Sequence, residues 1–174
     1  QKDGTYSVVP RMWGGETTAD ELRRTADVAD KYKIPTVKVT GGQRIDLLGV
    51  KKEDLPAVWK DIGMPSGHAY AKALRTVKTC VGSEWCRFGT QDSTGLGIKL
   101  EQMTWGSWMP HKFKIAVSGA KEDRAAIYWH DIGLQLVKDD EGEIGYKVIV
   151  GGGMGRTPIT GTVINSFVPW QQIL

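Results

Sequence analysis

The sequence is poor in the residues that build disulfide frameworks and metal centres. Its 174 residues include two cysteines and three histidines. Both cysteines, Cys80 and Cys86, lie in one short segment, TCVGSEWC. The histidines, His68, His111 and His130, lack the spacing of a metal site and are expected to be structural. Two cysteines are also too few for the disulfide framework of a small secreted domain.

Signals that would direct the chain to a membrane or out of the cell are also absent. No apolar run approaches the ~18 residues that a membrane-spanning helix needs. No basic leader with an apolar core and a small-residue cleavage site is present. The expected location is therefore the cytoplasm, with no membrane partner. The first residue, Gln1, is typical of an excised domain or a processed product.

Positive charge is present but is not concentrated. The net charge is +3, and no run of Lys and Arg suggests contact with a nucleic acid backbone. Basic residues stand instead among glycines and β-rich segments, as in GQR (42–44), RTVK (75–78) and HKFK (111–114). This distribution suits a small polyanion better than a nucleic acid, although each residue is also compatible with a solvated surface charge.

The first third of the chain predicts the order strand, helix, strand, strand, helix. Thr18 and Glu21 form the pattern of a capping box ahead of apolar residues at helical spacing. Pro35 ends that helix, and a second helix is predicted over residues 52–62. The predicted strands lie at residues 5–9, 36–40 and 45–48. This order is typical of an α+β unit of ferredoxin-like type.

The remainder predicts a second lobe of strands and helices. Breaker residues at 64–67 indicate a seam between the lobes, and Asp92 begins a helix that ends near Met103. The other predicted elements are strands at 74–79 and 112–117, a hairpin of 132–137 with 146–150, and a final helix at 161–167.

The two cysteines by themselves leave three interpretations open. They can be buried thiols in a reducing compartment or, less readily without secretory signals, a disulfide. Thiolates also bind iron and zinc, and a nearby Arg favours the ionised form. An iron–sulfur cluster needs four ligands, so half of such a set is absent from a chain with two cysteines.

A three-glycine run at 151–153, followed by Arg156, is typical of a backbone anion cradle at the start of a helix. It matches neither the P-loop pattern nor a strict dinucleotide fingerprint, and a tight turn with positive φ explains it equally well. Trp105, Trp108 and Trp129 could wall a planar cofactor, although tryptophan also commonly fills a core.

Longer segments of the sequence carry a specific resemblance. The segments are YSVVPRMWGG, VKVTGGQRIDLLGVKKEDLPAVW, HAYAKALRTVKTCVGSEWCRFGTQDSTGLGIKLE and HKFKIAVSG. Over roughly residues 4–119 they resemble the siroheme-containing region of assimilatory nitrite reductase large subunits. From Ala120 onward, HDIGLQLVKDDEGEIGYKVIVGGGMGRTP is similar to the siroheme-binding half of sulfite reductases, including the half-repeat that carries no cluster cysteines. The chain is therefore identified as a member of the siroheme-containing nitrite and sulfite reductase family.

The resemblance implies bound siroheme and a 4Fe-4S cluster, which together reduce nitrite to ammonia or sulfite to sulfide. The family's first pair of cluster cysteines falls on Cys80 and Cys86. Its second pair falls on Ala120 and Arg124, neither of which is a cysteine. Either two copies of the chain share a cofactor or cluster in a symmetric homodimer, or cluster binding has been lost.

The resemblance also implies which residues handle anions. Four cations, Arg44, Arg75, Lys112 and Lys114, are expected to hold nitrite or sulfite, stabilise negative charge and relay protons. On a strand, Lys112 and Lys114 would point to the same face. Siroheme carries several carboxylates, for which Arg is the best bidentate partner. The expected cofactor-binding residues are Arg124, Gly151, Gly152, Gly153 and Arg156.

The predicted organisation is one α+β half-repeat of this family. A ferredoxin-like lobe is placed at residues 1–63 and a mixed α/β lobe for siroheme and 4Fe-4S at 64–174. The expected function is reduction of nitrite or sulfite with an electron donor protein or domain, either by the chain or as the isolated domain of such an enzyme. Two alternatives stay open: a non-catalytic siroheme-binding module and an electron-transfer module that has lost part of the cluster site. Nitrite is favoured over sulfite as the expected substrate, because the longer match is to nitrite reductases.

Overall fold

The first part of the chain forms a three-stranded antiparallel sheet covered by two helices. The computed structural model describes residues 1–66 and 69–174. The strands lie in the order β1-β3-β2, with β1 at Tyr6–Val8, β2 at Thr36–Thr40 and β3 at Arg44–Val50. The helices are α1 at Ala19–Lys31 and α2 at Leu55–Ile62. The predicted α+β, ferredoxin-like order is confirmed.

Local sequence explains where α1 begins and which face it buries. The Thr18 side chain accepts the Glu21 N–H at 3.2 Å, and the Glu21 carboxylate accepts the Thr18 N–H at 2.8 Å. These two bonds form the predicted capping box, which satisfies donors that a helix start leaves open. About two turns further on, the buried Val28 packs into the core with Leu47 and Val58.

The second part of the chain forms a mixed five-stranded sheet in the order β4-β5-β6-β7-β8. The pairs β4–β5 and β5–β6 are parallel, whereas β6–β7 and β7–β8 are antiparallel. The strands are β4 at Lys78–Thr79, β5 at Ile115–Ser118, β6 at Ile132–Lys138, β7 at Ile144–Val150 and β8 at Thr162–Pro169. Two helices, α3 at Gly82–Trp85 and α4 at Ser93–Thr104, follow β4. Short 3-10 helices occupy Trp13–Gly15, Lys52–Asp54, Ile127–Trp129 and Trp170–Gln172.

Two predicted elements in the second part are confirmed. Asp92 caps α4 by accepting the Gly95 N–H at 2.8 Å, as its position before the helix indicated. The predicted hairpin is formed by β6 and β7, in which Leu134 pairs with Val148.

The predicted final helix at 161–167 is wrong, because this segment is the strand β8. Its β-branched residues, among them Val163 and Ile164, suit a pleated strand, and β7 offers an open edge to pair with. The glycine run at 151–153 therefore leads into a strand and not to the amino terminus of a helix.

Two predicted strands are shorter in the structure. The predicted strand 74–79 is regular only over β4, with an isolated parallel bridge between Leu74 and Phe113. The predicted strand 112–117 begins only at Ile115. Lys114 donates its N–H to the Asp131 carboxylate at 2.7 Å and not to a neighbouring strand. Lys112 and Lys114 therefore lie just before the regular strand, on either side of the bridged residue Phe113.

The predicted seam between the lobes is hydrogen-bonded to the segment that follows β1. Arg11 donates its N–H to the Pro65 carbonyl at 2.8 Å, and Pro10 forms an isolated bridge with Ser66. The remaining seam residue, Gly67, and the predicted structural histidine His68 lie outside the described residues. Among the residues that are described, no helix combines the length and apolar character needed to cross a membrane.

A buried carboxylate on α4 joins the two parts of the structure. Glu101 is 1% exposed and accepts a hydrogen bond from Arg11 Nη1 at 2.8 Å. Its second oxygen accepts the backbone N–H groups of Gly14 at 2.8 Å and Val77 at 3.2 Å. Burial raises the pKa of Glu101, and the hydrogen bonds from Gly14 and Arg11 oppose this effect. One side chain thus ties the segment after β1 to the segment before β4.

Replacing Glu101 by Gln keeps the size of the side chain but removes its charge. We expect the free energy of unfolding to fall by about 3–5 kcal/mol, because the buried Arg11 guanidinium loses its carboxylate. Urea denaturation measures this loss. The exposed Glu53 provides the matched control, since Glu53→Gln should cost less than about 0.5 kcal/mol. Equal stability of the two variants would contradict a joining role for Glu101.

Candidate functional site

A cavity of about 220 Å³ is lined by residues from both sheets and from the segments that precede β4 and β5. Its wall is rich in cations, and the structure brings together all four that were predicted to handle an anion. A fifth cation, Lys78, was not predicted. The cationic lining residues are Arg44, Arg75, Lys78, Lys112 and Lys114.

The two arginines of the cavity are buried without full hydrogen bonding. Arg44 and Arg75 are each 8% exposed. Within the described part of the chain, Arg44 Nε and Nη1 and Arg75 Nη1 have no hydrogen-bond partner, whereas Arg75 Nη2 donates to the Ala71 carbonyl at 2.9 Å. Burial, together with repulsion from Arg11, lowers the pKa of both guanidinium groups. Buried donors without partners are costly, so this arrangement is suited to an acceptor from outside the chain.

The lysines repel one another across the cavity. Burial lowers the pKa of Lys78, and the charge of Lys112 adds to this effect. Burial also lowers the pKa of Lys114, and Lys112, Lys78, Arg75 and Arg44 act in the same direction. No ion pair involves any of the three lysines among the described residues. The ammonium groups of Lys78 and Lys114 can bind an anion and, because their pKa values are lowered, release a proton more readily than a solvated lysine.

Negative charge in the described lining of the cavity comes from one carboxylate. Asp46 lies on β3, two residues from Arg44, and its Oδ2 accepts the Tyr70 hydroxyl at 2.8 Å. Its Oδ1 is buried and has no hydrogen-bond partner among residues 1–66 and 69–174. Five cations therefore face one carboxylate, and the cavity carries a large excess of positive charge.

Parallel pairing of two chain segments places these cations side by side. Arg75 donates its N–H to the Phe113 carbonyl at 3.2 Å, and Lys78 pairs with Ala116. Arg44 approaches from β3, and the Gln43 amide exchanges two hydrogen bonds with the Thr79 backbone at 2.8 and 2.9 Å. The segment RTVK (75–78) contains a second cation, Lys78. The pairing of β4 with β5 places this residue in the cavity wall.

The two cysteines are free thiols in different environments, so the disulfide alternative is not observed. Cys80 is 8% exposed, and its Sγ lies 3.0 Å from Ser93 Oγ and accepts the Gly119 N–H at 3.2 Å. Cys86 is half-buried and follows α3. In the described ranges, no group of three or more His, Cys, Asp or Glu residues is placed to hold a metal ion.

The difference in burial predicts a difference in thiol reactivity. In the native protein, Cys86 should react with dithionitrobenzoate quickly, and Cys80 should react only after denaturation, because reagent access limits the reaction. Absorbance at the thionitrobenzoate band measures both phases. Cys86→Ser should remove the fast phase, and Cys80→Ser should leave it intact. A single phase that titrates both thiols would contradict the structure.

The positions of the implied second cysteine pair lie close to the first pair. Ala120 is fully buried and forms an antiparallel bridge with Gly89, three residues after Cys86. Arg124 is exposed, and its guanidinium carbon lies 4.9 Å from the centre of the Phe88 ring. Arg124 does not line the cation-rich cavity.

The glycine run uses its backbone donors within the fold. Gly151 has a φ of 78° and donates its N–H to the Asp131 carbonyl at 3.0 Å. Gly153 donates to the Ile159 carbonyl at 2.9 Å. Gly152 is packed so closely against the backbone of His130 that an added Cβ would lie 2.6 Å from its oxygen. The described geometry is that of a tight turn, and two of the three N–H groups are not available to an anion.

The remaining candidates lie outside the cavity. Arg156 is exposed. Trp105 packs edge-to-face against Trp13 with ring centres 5.6 Å apart, whereas Trp108 and Trp129 are 62% and 55% exposed. His130 is buried with Nδ1 2.8 Å from the Ala126 carbonyl, and burial lowers its pKa.

Two family profiles match the chain along its length. The profile described as "Nitrite/Sulfite reductase ferredoxin-like half domain" matches residues 1–65. The profile described as "Nitrite and sulphite reductase 4Fe-4S domain" matches residues 70–174. Together the two profiles cover both sheets and every cation of the cavity.

Individual proteins show the same relationship. The chain is 59% identical over 174 residues to the NAD(P)H nitrite reductase of Bacillus subtilis, covering 100% of this chain and 21% of that protein. It is 37% identical over 160 residues to an assimilatory-type sulfite reductase of Nitratidesulfovibrio vulgaris, covering 92% of this chain and 71% of that protein. The solved structure of the Mycobacterium tuberculosis NirA protein has the same fold, with a TM-score of 0.83 at 19% identity, over 96% of this chain and 32% of that one. The chain thus spans about a fifth of the first of these relatives.

Proposed function

Because the chain belongs to the nitrite and sulfite reductase family, we propose that it is a domain of an enzyme that reduces nitrite to ammonia or sulfite to sulfide, with electrons from a donor protein or domain. The observation that carries this proposal is the cavity in which five cations face one carboxylate. A small inorganic anion suits a cavity of about 220 Å³ with this charge. The greater identity to a nitrite reductase favours nitrite as the substrate.

We assign the four predicted cations to the substrate anion. Arg44 and Arg75 offer guanidinium N–H groups that have no partner in the described fold, so they can hold anion oxygens without losing other bonds. Lys112 and Lys114 approach from the segment before β5 and stabilise negative charge as bonds to oxygen weaken. The lowered pKa of Lys114 suits it to deliver a proton to the departing oxygen.

The residues of the cavity fit the acidic periphery of siroheme as well as a free anion. Carboxylates of the cofactor are acceptors of the kind that the open donors of Arg44 and Arg75 require. When bound, siroheme would supply the iron at which the anion is reduced and would pass on electrons from the donor. Arg124, Gly151, Gly152, Gly153 and Arg156 remain proposed cofactor contacts, although the structure places none of them in the cavity.

A 4Fe-4S cluster does not fit the ligands of one chain. Cys80 and Cys86 supply two thiols, and the implied positions of the second pair hold Ala120 and Arg124. A cluster held by thiolates needs four of them. We propose that a homodimer supplies the missing pair from the second copy, and we derive no catalytic step through the cluster.

Sedimentation tests the homodimer. We expect protein that carries iron and acid-labile sulfide to sediment with about twice the 19.2 kDa mass of one chain, because four thiolates require two copies. Cys80→Ser should abolish both the cluster and this shift in mass. Cluster-containing protein that sediments as a monomer would contradict the proposal.

We further propose that the ferredoxin-like lobe spans residues 1–63 and the siroheme lobe spans 64–174, and that the protein works in the cytoplasm. Both cysteines are free, as expected where thiols are kept reduced. The alternatives are a non-catalytic siroheme-binding module and an electron-transfer module. The observation in their favour is that Ala120 and Arg124 occupy the positions of the second cysteine pair.

Colour and turnover together separate these functions. Protein purified from siroheme-producing cells should show tetrapyrrole absorption and reduce nitrite or sulfite with a reduced viologen dye. The double variant Lys112→Ala, Lys114→Ala should keep the colour and lose turnover by at least about 100-fold, because two cations that stabilise developing charge are removed. The exposed Lys72 lies outside the cavity, and Lys72→Ala should change neither readout.

Three results would change the assignment. Wild-type protein without tetrapyrrole or cluster would exclude the enzyme. Coloured protein without turnover would favour the electron-transfer or binding module. Loss of tetrapyrrole absorption in the double variant would show that the two lysines bind the cofactor, and their assignment to catalysis would be withdrawn.

A further inference from the structure

We propose that Lys78 is a fifth anion-binding residue of the cavity and that its charge shifts the selectivity of the cavity towards doubly charged inorganic oxyanions relative to singly charged ones. This inference rests on the proposed function, since it concerns the same site.

The position of Lys78 supports a direct role. It lies on β4, pairs with Ala116 of β5, and lines the same cavity as Arg75 and Lys112. The neighbouring residues Val77 and Thr79 are buried away from solvent at 0% and 7% exposure, whereas Lys78 is half-buried. Alternation along a strand therefore directs Lys78 to the cavity side while its neighbours pack into the core.

Lys78 is not held there by a carboxylate. Among the described residues it takes part in no ion pair, and the one carboxylate of the described cavity wall, Asp46, bonds to the Tyr70 hydroxyl. Burial, followed by repulsion from Lys112, lowers the pKa of Lys78. A lysine that only filled space would be better replaced by an apolar residue, because a half-buried ammonium without a partner is unfavourable. An anion in the cavity removes this penalty.

The charge balance of the cavity indicates the class of anion. Five cations and one carboxylate leave an excess of four positive charges in the described lining. The Coulomb energy between a cation and an anion is proportional to the charge of the anion. Each cation therefore contributes about twice as much free energy to binding a dianion as to binding a monoanion at the same place. A fifth cation adds selectivity as well as affinity.

Calorimetric titration with two probe anions tests the inference. Sodium sulfate provides a dianion and sodium nitrite a monoanion, at pH 7, constant ionic strength and without phosphate. The variant Lys78→Met keeps the length of the side chain and removes its charge. We expect nitrite affinity to fall about 5-fold and sulfate affinity about 25-fold. The free energy lost with Lys78 is twice as large for the dianion, and doubling a free energy squares the fold change in the binding constant. Lys78→Arg should restore most of both affinities.

The control is Lys72→Met. Lys72 is exposed, lies in the same part of the chain and does not line the cavity, so its removal should change both affinities less than about 2-fold. Circular dichroism of Lys78→Met should match the wild type, which separates loss of binding from loss of fold.

The possible results distinguish failure of this inference from failure of the proposed function. If Lys112→Met weakens binding and Lys78→Met does not, the anion site stands and Lys78 is not part of it. Equal fold losses for sulfate and nitrite would overturn the dianion preference. Wild-type protein that binds neither anion would overturn the anion site itself. In siroheme-loaded protein, retained sulfate binding supports a free oxyanion, whereas its loss would assign the cations to cofactor carboxylates and overturn the inference.

Discussion

The arrangement of the cavity depends on the hydrogen bonds and the ion pair that the buried Glu101 carboxylate makes. It pairs with Arg11 at 2.8 Å and accepts two backbone N–H groups, from Gly14 and Val77. These contacts hold the chain after β1 against the segment that carries Arg75. Because β3 belongs to the first sheet and β4 to the second, the position of their cations relative to each other follows from this junction. The amide of Gln43, bonded to the Thr79 backbone, continues the junction along the cavity wall.

Two neighbouring arginines illustrate how differently the fold treats charge. Arg11 is buried with a carboxylate partner, and Arg44 is buried with two guanidinium nitrogens that have no partner in the described chain. Burial and the charge of Arg11 lower the pKa of Arg44, and the charge of Glu101 only partly opposes this shift. A core optimised only for stability would pair both guanidinium groups, those of Arg11 and Arg44, with hydrogen-bond acceptors. Leaving one of them without a partner in the described chain, beside Arg75 and three lysines, costs stability, and an anion in the cavity would offset that cost.

Much of the fold was predictable because its signals are local. The capping box of Thr18 and Glu21, the cap at Asp92 and the hairpin of β6 and β7 all follow from residues that are close in sequence. The final helix was predicted wrongly because the glycine run resembled a helix start, while the pairing of β8 with β7 is a tertiary contact. The cavity was partly predictable. Four of its cations were predicted from the family resemblance. The place of Lys78 in the cavity could not be predicted without the pairing of β4 with β5.

The α+β order of elements, the family and the number of thiols available to a metal can be read from the chain without any structure. Those properties follow from patterning, motif content and composition, none of which needs a contact between distant residues. Folding, by contrast, brings Lys78 to Arg44, Arg75, Lys112 and Lys114, commits donors of the glycine run to backbone carbonyls, and buries Cys80 while it leaves Cys86 accessible. Each of these outcomes depends on strand pairing or burial, and both are set by segments that are far apart in the chain.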